Sequence, residues 1–250
     1  MTPRSPLARD RLLTTATSGD ERRRGARLAV LPVGSCEQHG DHLPLTTDAI
    51  IACVIARAIS DEYDLWLLPP ITISCSHEHS AWPGTVSISA RTLHQVVNDI
   101  ADSARQAGAD KLAVVNGHGG NYVLSNIVQE ANVAGPRMTL FPTRDDWNDA
   151  RKHGGLTTSG HEDMHGGELE VSILLHAYPE LVREGIEDSD HDAEDRRYMA
   201  VLGLRGYTTT GIIGRPSLAT AEKGKAALKS LTLSFAGHLK ALDCVPERND

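Results

Sequence analysis

The chain contains 250 residues, of which 40% are hydrophobic, 4% aromatic and 23% charged, and its formal net charge at pH 7 is -8. This length allows one large α/β domain or two small ones, with enough residues to bury a substantial core. The negative charge argues against general affinity for nucleic acids and anionic membrane surfaces, because both require a basic face. The composition therefore favours a small-molecule or neutral peptide substrate.

No segment approaches the roughly 20 apolar residues of a transmembrane helix, and the N-terminal segment lacks the apolar core of a signal peptide. We expect a cytoplasmic protein with no membrane partner. The four cysteines are too few for a disulfide framework and show no paired CxxC spacing. Cys36 lies in a segment rich in ligand residues, where a small buried side chain is a commoner role than a nucleophile.

The first predicted elements follow a polar N-terminal segment, residues 1–25. Residues 28–33 and 65–68 are short apolar runs, ended by a glycine and by a pair of prolines, and both patterns predict strands. Between them, residues 49–59 keep helical spacing with little to interrupt it. The chain therefore begins as a strand, a helix and a strand.

The later elements continue this alternation. Apolar residues at three-and-four spacing predict a helix over residues 91–107. The same signals predict a strand over 111–115, a helix over 121–134, a strand over 138–141, and helices over 169–176 and 219–242. Residues 188–197 are rich in Asp, Glu and Arg and predict an exposed excursion. We expect one α/β domain over residues 1–250, with a mostly parallel central sheet flanked by helices.

Three residues able to bind metal, Glu37, His39 and Asp48, lie close together after the first predicted strand. Two carboxylates and an imidazole on a loop stiffened by glycine and proline suit zinc, manganese or iron. Asp48 also precedes a predicted helix, so capping that helix is an alternative role. The segment favours an enzyme.

Two further segments carry polar residues of the same kind. Residues 74–85 contain His79 and Trp82 before a Pro-Gly turn, which indicates either a loop that closes over a ligand or a solvated turn. Asn116-Gly-His118-Gly-Gly-Asn121 follows a predicted strand, where glycines allow a histidine to approach a metal closely. A phosphate-binding loop is the competing interpretation, but this segment has no lysine and matches no such motif.

The segment from His161 to Glu170 contains the metalloprotease pattern HExxH. That pattern requires both histidines on one helix, and the adjacent glycines disfavour a helix through His161 and His165 by about 1 kcal/mol each. We predict instead that the helix begins near Glu168. Glu168 and Glu170 lie about 200° apart around a helix, so only one should face a site, and Glu168 is nearer to His165.

These motifs together resemble the creatininase, or creatinine amidohydrolase, family. The resemblance spans roughly residues 28–224, and it is carried by residues 32–40, 42–48, 78–85, 116–121, 165–170 and 211–224. It implies an α/β fold, assembled as a homohexamer in the cytoplasm, with two divalent ions per subunit. In that arrangement Glu37, Asp48 and His118 would bind one ion. His39, Asp48 and a further glutamate would bind the other.

In creatininase the further glutamate lies two residues after the histidine of the Asn-Gly-His loop, where this chain has Gly120. The resemblance therefore assigns the ligand to Glu168. It also assigns to His165 the protonation of the leaving nitrogen, after water activated by the metal ions attacks the amide carbon. Other residues of the motifs would contact the substrate or support the ligands: His79, Trp82, Asn116, Asn121 and Glu170.

The resemblance implies a hydrolase acting on a C–N bond other than a peptide bond. The Glu168 form is closer to the family's formamide deformylase branch than to creatininase, so we expect a small formamide or cyclic amide as substrate. Alternatives are a peptidase that trims a short ribosomally made peptide of the mycofactocin type, and a non-catalytic metal-stabilised oligomer. Arg215 stands where an acidic residue is frequent, and it could bind an anionic substrate or pair with an acidic side chain.

Overall fold

A computed structural model describes residues 12–244 and places four strands in one parallel sheet. The strands are β1 (Leu28–Val33), β2 (Trp66–Leu67), β3 (Lys111–Asn116) and β4 (Met138–Phe141), in the order β2-β1-β3-β4. All pairs are parallel. The predicted α/β class with a mostly parallel sheet is therefore confirmed.

Helices cover both faces of this sheet. Within the described residues they are α1 (Ser18–Arg24), α2 (Thr47–Tyr63), α3 (Ala90–Gln106), α4 (Val123–Ala131), α5 (Arg144–Gly154), α6 (Glu168–Ala177), α7 (Met199–Leu202) and α8 (Ala221–Ala241). None of the helices in this part of the chain is long and apolar enough to cross a membrane.

The sheet separates two hydrophobic clusters. Side chains of β1 alternate between them: Leu28 and Val30 pack with α2, α6 and α8, whereas Ala29, Leu31 and Val33 pack with α3 and α4. Every residue of β1 is buried. This explains its continuous apolar sequence, because a central parallel strand is covered on both faces.

The element boundaries differ from the prediction mainly where polar residues form helices. α5 was not predicted, because its sequence has few apolar positions. Its start is fixed by a capping box in which Thr143 and Asp146 bond each other's backbone amides. The expected strand at 65–68 shortens to Trp66–Leu67. Arg215 forms an ion pair of 2.8 Å with Asp192 in the exposed excursion, so the pairing alternative is correct.

The N-terminal and single-domain predictions are tested only in part by the described chain. Residues 1–11 and 245–250 lie outside the described residues, so the boundaries 1–250 and 1–25 stay predictions. Within the polar segment, α1 has no buried residue.

The chain's two phenylalanines meet in the core between β4 and α8. The ring centroids of Phe141 and Phe235 lie 5.1 Å apart, and both side chains are fully buried. We expect Phe235→Ala to lower the free energy of unfolding by about 3–5 kcal/mol, because it leaves a cavity in this core. Urea denaturation checks this. Leu233→Ala, at an exposed position of the same helix, should change stability by less than about 0.5 kcal/mol, and equal losses in the two variants would contradict the packing described.

Candidate metal centre

The segments with candidate metal ligands converge at one edge of the sheet. Glu37 and His39 lie in the loop after β1, and His118 lies in the loop after β3. β1 and β3 pair along their length, with Val33 opposite Asn116 at their carboxyl ends. Both loops therefore leave the sheet at the same point, where open parallel sheets bind ligands.

Two glycines allow these loops to lie against the start of α2. A β-carbon at Gly34 would collide with the backbone of Ala49, and one at Gly117 would collide with the backbone oxygen of Asp48. The first turn of α2 is thereby held between the two strand ends. The N-cap of α2 is Thr46, so Asp48 does not cap the helix.

The Glu37 carboxylate is fully buried and is anchored at one oxygen. Its Oε2 accepts a hydrogen bond of 2.6 Å from Ser35 Oγ, which also bonds Ser76 Oγ. Its Oε1 lies 3.2 Å from both His79 Nε2 and His118 Nδ1. The anchored oxygen fixes the direction of the other, which points into a group of imidazoles.

Asp48 lies between two histidines. Its Oδ1 is 3.1 Å from His39 Nε2, and its Oδ2 is 3.1 Å from His118 Nδ1. Burial acts to raise the pKa of Asp48, but attraction to His39 and His118 outweighs it and the pKa lies well below its ordinary value. Burial and Asp48 likewise act to raise the pKa of Glu37, and the histidines again lower it. Both residues are therefore carboxylates at neutral pH.

His39 and His118 are oriented by backbone carbonyls. His39 Nδ1 lies 3.1 Å from Glu37 O, and His118 Nε2 lies 2.8 Å from Cys75 O. A carbonyl only accepts, so these nitrogens carry hydrogen and the opposite nitrogens, which face Asp48, can bind a proton or a metal ion. Burial acts to lower both pKa values, but the carboxylates raise that of His39 to about 9 and that of His118 well above its ordinary value.

His165 and His79 lie beside this group and are held by Gln38. The His165 ring is 4.1 Å from that of His39 and 4.4 Å from that of His79. His165 Nε2 donates to Gln38 O at 2.7 Å, and Gln38 Nε2 donates to His79 Nδ1 at 3.0 Å. Burial, together with the neighbouring imidazoles, lowers the pKa of His165 to about 3 and that of His79 to about 2. Sequence reasoning missed Gln38, although it lies between Glu37 and His39.

The HExxH segment is not helical, as the glycines indicated. His161 is exposed, whereas His165 is buried in the cluster. Between them, the Asp163 carboxylate accepts hydrogen bonds from the first two backbone amides of α6 and forms an ion pair of 2.9 Å with Arg151. Asp163 thus caps α6 and keeps His165 in the loop before it.

The structure contradicts the assignment of Glu168 as a ligand. Its carboxylate pairs with Lys223 of α8 and accepts hydrogen bonds from Thr158 N at 3.0 Å and Thr158 Oγ1 at 2.7 Å. Glu170 is the residue that reaches the cluster, with Oε2 at 4.0 Å from His39 Nε2. As the helical angle requires, only one of these two glutamates faces the site, and it is Glu170 rather than Glu168. Burial raises the pKa of Glu170 to about 7.

The space beside position 120 is filled by neighbouring side chains. A β-carbon at Gly120 would collide with Glu78 Oε1 and with His118 Nε2. Glu78 Oε1 itself lies 3.4 Å from His118 Nε2. In this structure the Glu78 carboxylate therefore occupies space beside His118 that a glutamate at position 120 would need.

The remaining predicted residues support the site from outside. Asn116 Nδ2 donates to His118 O at 2.7 Å, and Asn121 Nδ2 donates to Asn116 Oδ1 at 3.0 Å. These two asparagines fix the loop that carries His118. The Trp82 ring lies 6.4 Å from the His79 ring. The Arg205 guanidinium lies over the Trp82 ring, 5.5 Å from its centroid.

The cluster fits divalent metal ions. Glu37 Oε1 and Asp48 Oδ2 are buried and accept no hydrogen bond from the described residues, which is unfavourable unless a cation is bound. Three sets of ligand atoms have all members within 4.8 Å of one another: Glu37, His39 and Asp48; His39, His165 and Glu170; and Glu37, His79 and His165. Mixed nitrogen and oxygen donors suit zinc, manganese or iron.

A cavity of about 590 Å³ opens beside this cluster. It is lined by His118 and Glu170 of the cluster, and by residues of α5 and of the loop that precedes α6. Cavities of this size bind ligands far larger than a formyl group. A second cavity, of about 460 Å³, lies behind Glu78 and Gly120.

The sequence matches the creatininase family, described as creatinine amidohydrolase, over residues 13–239. The chain belongs to this family and is a creatininase-family amidohydrolase. Its fold agrees: the solved structure "Creatininase Mn" gives a TM-score of 0.75 at 24% identity and covers 90% of this chain and 96% of that chain.

Individual relatives differ in how much they share with the chain. The mycofactocin precursor peptide peptidase of Mycobacterium ulcerans (strain Agy99) is 35% identical over 209 residues, 78% of each protein. The creatinine amidohydrolase of Pseudomonas putida is 25% identical over 174 residues, 63% of this chain and 67% of that protein. A formylamino-pyrimidine deformylase of Methanococcus maripaludis (strain C7 / ATCC BAA-1331) is 27% identical over 106 residues, 42% of this chain and 47% of that protein.

We expect Glu168→Gln to lower the free energy of unfolding at pH 7 by about 2 kcal/mol, because the ammonium of Lys223 loses its buried carboxylate partner. Burial acts to raise the pKa of Glu168, but Lys223 and Thr158 lower it below its ordinary value. The ion pair therefore stabilises the protein at pH values above the ordinary pKa of a glutamate. This stabilisation is lost as the pH falls through the lowered pKa of Glu168. Urea denaturation of the metal-free protein at pH 7 and at about pH 4 measures the difference.

Glu170→Gln is the matched control. Its carboxylate has a raised pKa, so neutralising it should leave the metal-free protein equally stable or more stable at pH 7. A larger loss for Glu170→Gln than for Glu168→Gln would contradict the roles assigned to the two glutamates.

Proposed function

We propose that this protein is a metal-dependent hydrolase that cleaves a C–N amide bond of a short peptide. The observation that carries the proposal is the buried cluster of Glu37, His39, Asp48 and His118, with two carboxylate oxygens left without hydrogen-bond donors among the described residues. Glu170 adds a carboxylate at the border of the cavity.

This cluster, together with Glu170, would hold two divalent ions. Glu37, Asp48 and His118 would hold one ion, and His39, Asp48 and Glu170 would hold the other, so that Asp48 would contribute to both. Each of the two Asp48 oxygens lies 3.1 Å from a different histidine, which supports a contribution of Asp48 to both groups of ligands. The solved structure "Creatininase Mn", which shares this fold, is named with manganese, and this supports a metal of the same class.

The bound ions would supply an activated water and polarise the scissile carbonyl. The protein's own contribution is proton transfer. His165 is neutral at pH 7 because of its lowered pKa, and its Nε2–H is bound to Gln38 O. Its Nδ1 lies 3.7 Å from Glu37 Oε1 and is free to accept the proton released by the attacking water. His165 then delivers that proton to the leaving nitrogen.

A peptide is favoured over the formamide or cyclic amide expected from the sequence. The mycofactocin precursor peptidase shares more of this chain, at higher identity, than the creatinine amidohydrolase or the deformylase does. The cavity volume of about 590 Å³ also suits a larger substrate. The presence of His165 beside the cluster supports turnover over a non-catalytic role. The homohexamer and the cytoplasmic location stay predictions.

We expect Glu170→Gln to bind about one zinc ion per subunit where the wild type binds about two, because a neutral amide is a poorer ligand than a carboxylate in a two-metal site. Elemental analysis after dialysis against zinc measures the content. Glu168→Gln is the control and should keep the wild-type content, since Glu168 is held by Lys223. Full zinc content in Glu170→Gln would remove Glu170 from the ligand set.

Hydrolysis itself is tested with the zinc- or manganese-loaded wild type and capped tripeptides, N-formyl amines and creatinine as competing substrates. We expect release of an amine from the peptides. His165→Ala should retain its metal and lose activity by a factor of about 100 or more, because proton transfer of this kind contributes 10²–10⁴-fold. Peptides that stay intact while formamides are cleaved would overturn the peptide assignment, and unchanged turnover would exclude His165 from the mechanism.

A further inference from the structure

One arginine on the cavity wall has no partner among the residues that the structure describes. Besides the histidines, the cavity of about 590 Å³ is lined by two basic residues, Arg144 and Arg151. Arg151 is neutralised, because its Nη1 lies 2.9 Å from the Asp163 carboxylate. The Arg144 guanidinium forms no ion pair and no hydrogen bond with residues 12–244. Among the described residues, Arg144 is thus the arginine of this cavity wall that has no ion-pair partner.

Arg144 does not serve the helix that carries it. It is the first residue of α5, where the helix macrodipole disfavours a cation. The helix start is stabilised instead by the reciprocal hydrogen bonds of Thr143 and Asp146. The side chain of Arg144 is exposed, so its removal should leave the fold intact.

The charge of the whole protein makes a local cation important for an anionic ligand. The formal net charge is -8, and the long-range field therefore repels anions. On the cavity wall the Asp163 charge is balanced by Arg151, and the Glu170 charge lies beside the histidine cluster. The surface around Arg144 is the part of the cavity that can attract a carboxylate.

We infer that Arg144 binds a carboxylate group of the substrate and so selects peptides that carry a negative charge next to the bond that is cleaved. This inference rests on the proposed function and names its substrate class. The guanidinium offers a planar pair of N–H donors that matches a carboxylate. The carboxylate can come from the peptide's C-terminus or from an acidic side chain, and the two sources can be distinguished by experiment.

The test measures dissociation constants by calorimetry on zinc-loaded His165→Ala protein, which should leave the peptide intact. The probes are acetyl-Ala-Ala-Phe as free acid and as carboxamide, and the carboxamides of acetyl-Ala-Glu-Phe and acetyl-Ala-Gln-Phe. We expect one charged probe to bind about 10- to 100-fold more tightly than its neutral partner. The first pair identifies a terminal carboxylate and the second a side-chain carboxylate.

Adding Arg144→Ala to the His165→Ala protein should reduce the ratio of the neutral-probe to the charged-probe dissociation constant to about one. Arg144→Lys should restore part of this ratio, since lysine keeps the charge without the planar fork. Arg91→Ala is the matched control, because Arg91 is an exposed arginine in the first turn of α3 and does not line this cavity, so it should not change the ratio. A ratio that survives Arg144→Ala, or equal binding of charged and neutral probes by the parent protein, would overturn the inference.

The inference and the proposed function fail in different ways. If wild-type protein hydrolyses peptides but shows the same KM for charged and neutral probes, the role of Arg144 is wrong and the peptidase function stands. If charged peptides bind through Arg144 but are never cleaved, the proposed function is wrong and the carboxylate site stands.

Discussion

The structure depends on burying two carboxylates, Glu37 and Asp48, a short distance apart at the carboxyl edge of the sheet. Two negative charges in a solvent-excluded site repel each other, and burial adds a desolvation penalty that no fold tolerates without compensating positive charge. Here compensation comes from histidines on separate segments, chiefly His39 and His118. The convergence of these segments is therefore an electrostatic requirement as well as a packing result.

Hydrogen bonds to the surrounding chain fix the orientation of the histidine rings as well as their position. Backbone carbonyls fix the ring orientation of His39 and His118, while Gln38 fixes that of His165 and His79. Such outer contacts determine which ring nitrogen is available to a ligand, and they govern metal affinity nearly as strongly as the ligands themselves. These hydrogen bonds orient the imidazoles in advance, which suits chemistry that depends on positioned charge.

The family relationship becomes more informative where this chain departs from the creatininase pattern. Gly120 stands where a glutamate is expected beside His118, and the Glu78 carboxylate fills that space. A carboxylate from α6, Glu170, reaches the cluster instead. Glu170 also lies on the wall of the adjacent cavity, so this carboxylate changes the cavity lining as well as the cluster. Changes of this kind allow one fold to act on different amides.

The sequence by itself determined the fold class, the strand that carries the site and most of the cluster, because apolar runs and local ligand spacing are encoded in short stretches of chain. It indicated Glu37, His39, Asp48, His118 and His165 as candidate site residues, and the structure brings these side chains together. Only the tertiary structure decided between Glu168 and Glu170. That choice depends on Lys223 of α8, which pairs with Glu168 from a distant part of the chain, and no local pattern could reveal a contact made by two segments that meet only after folding.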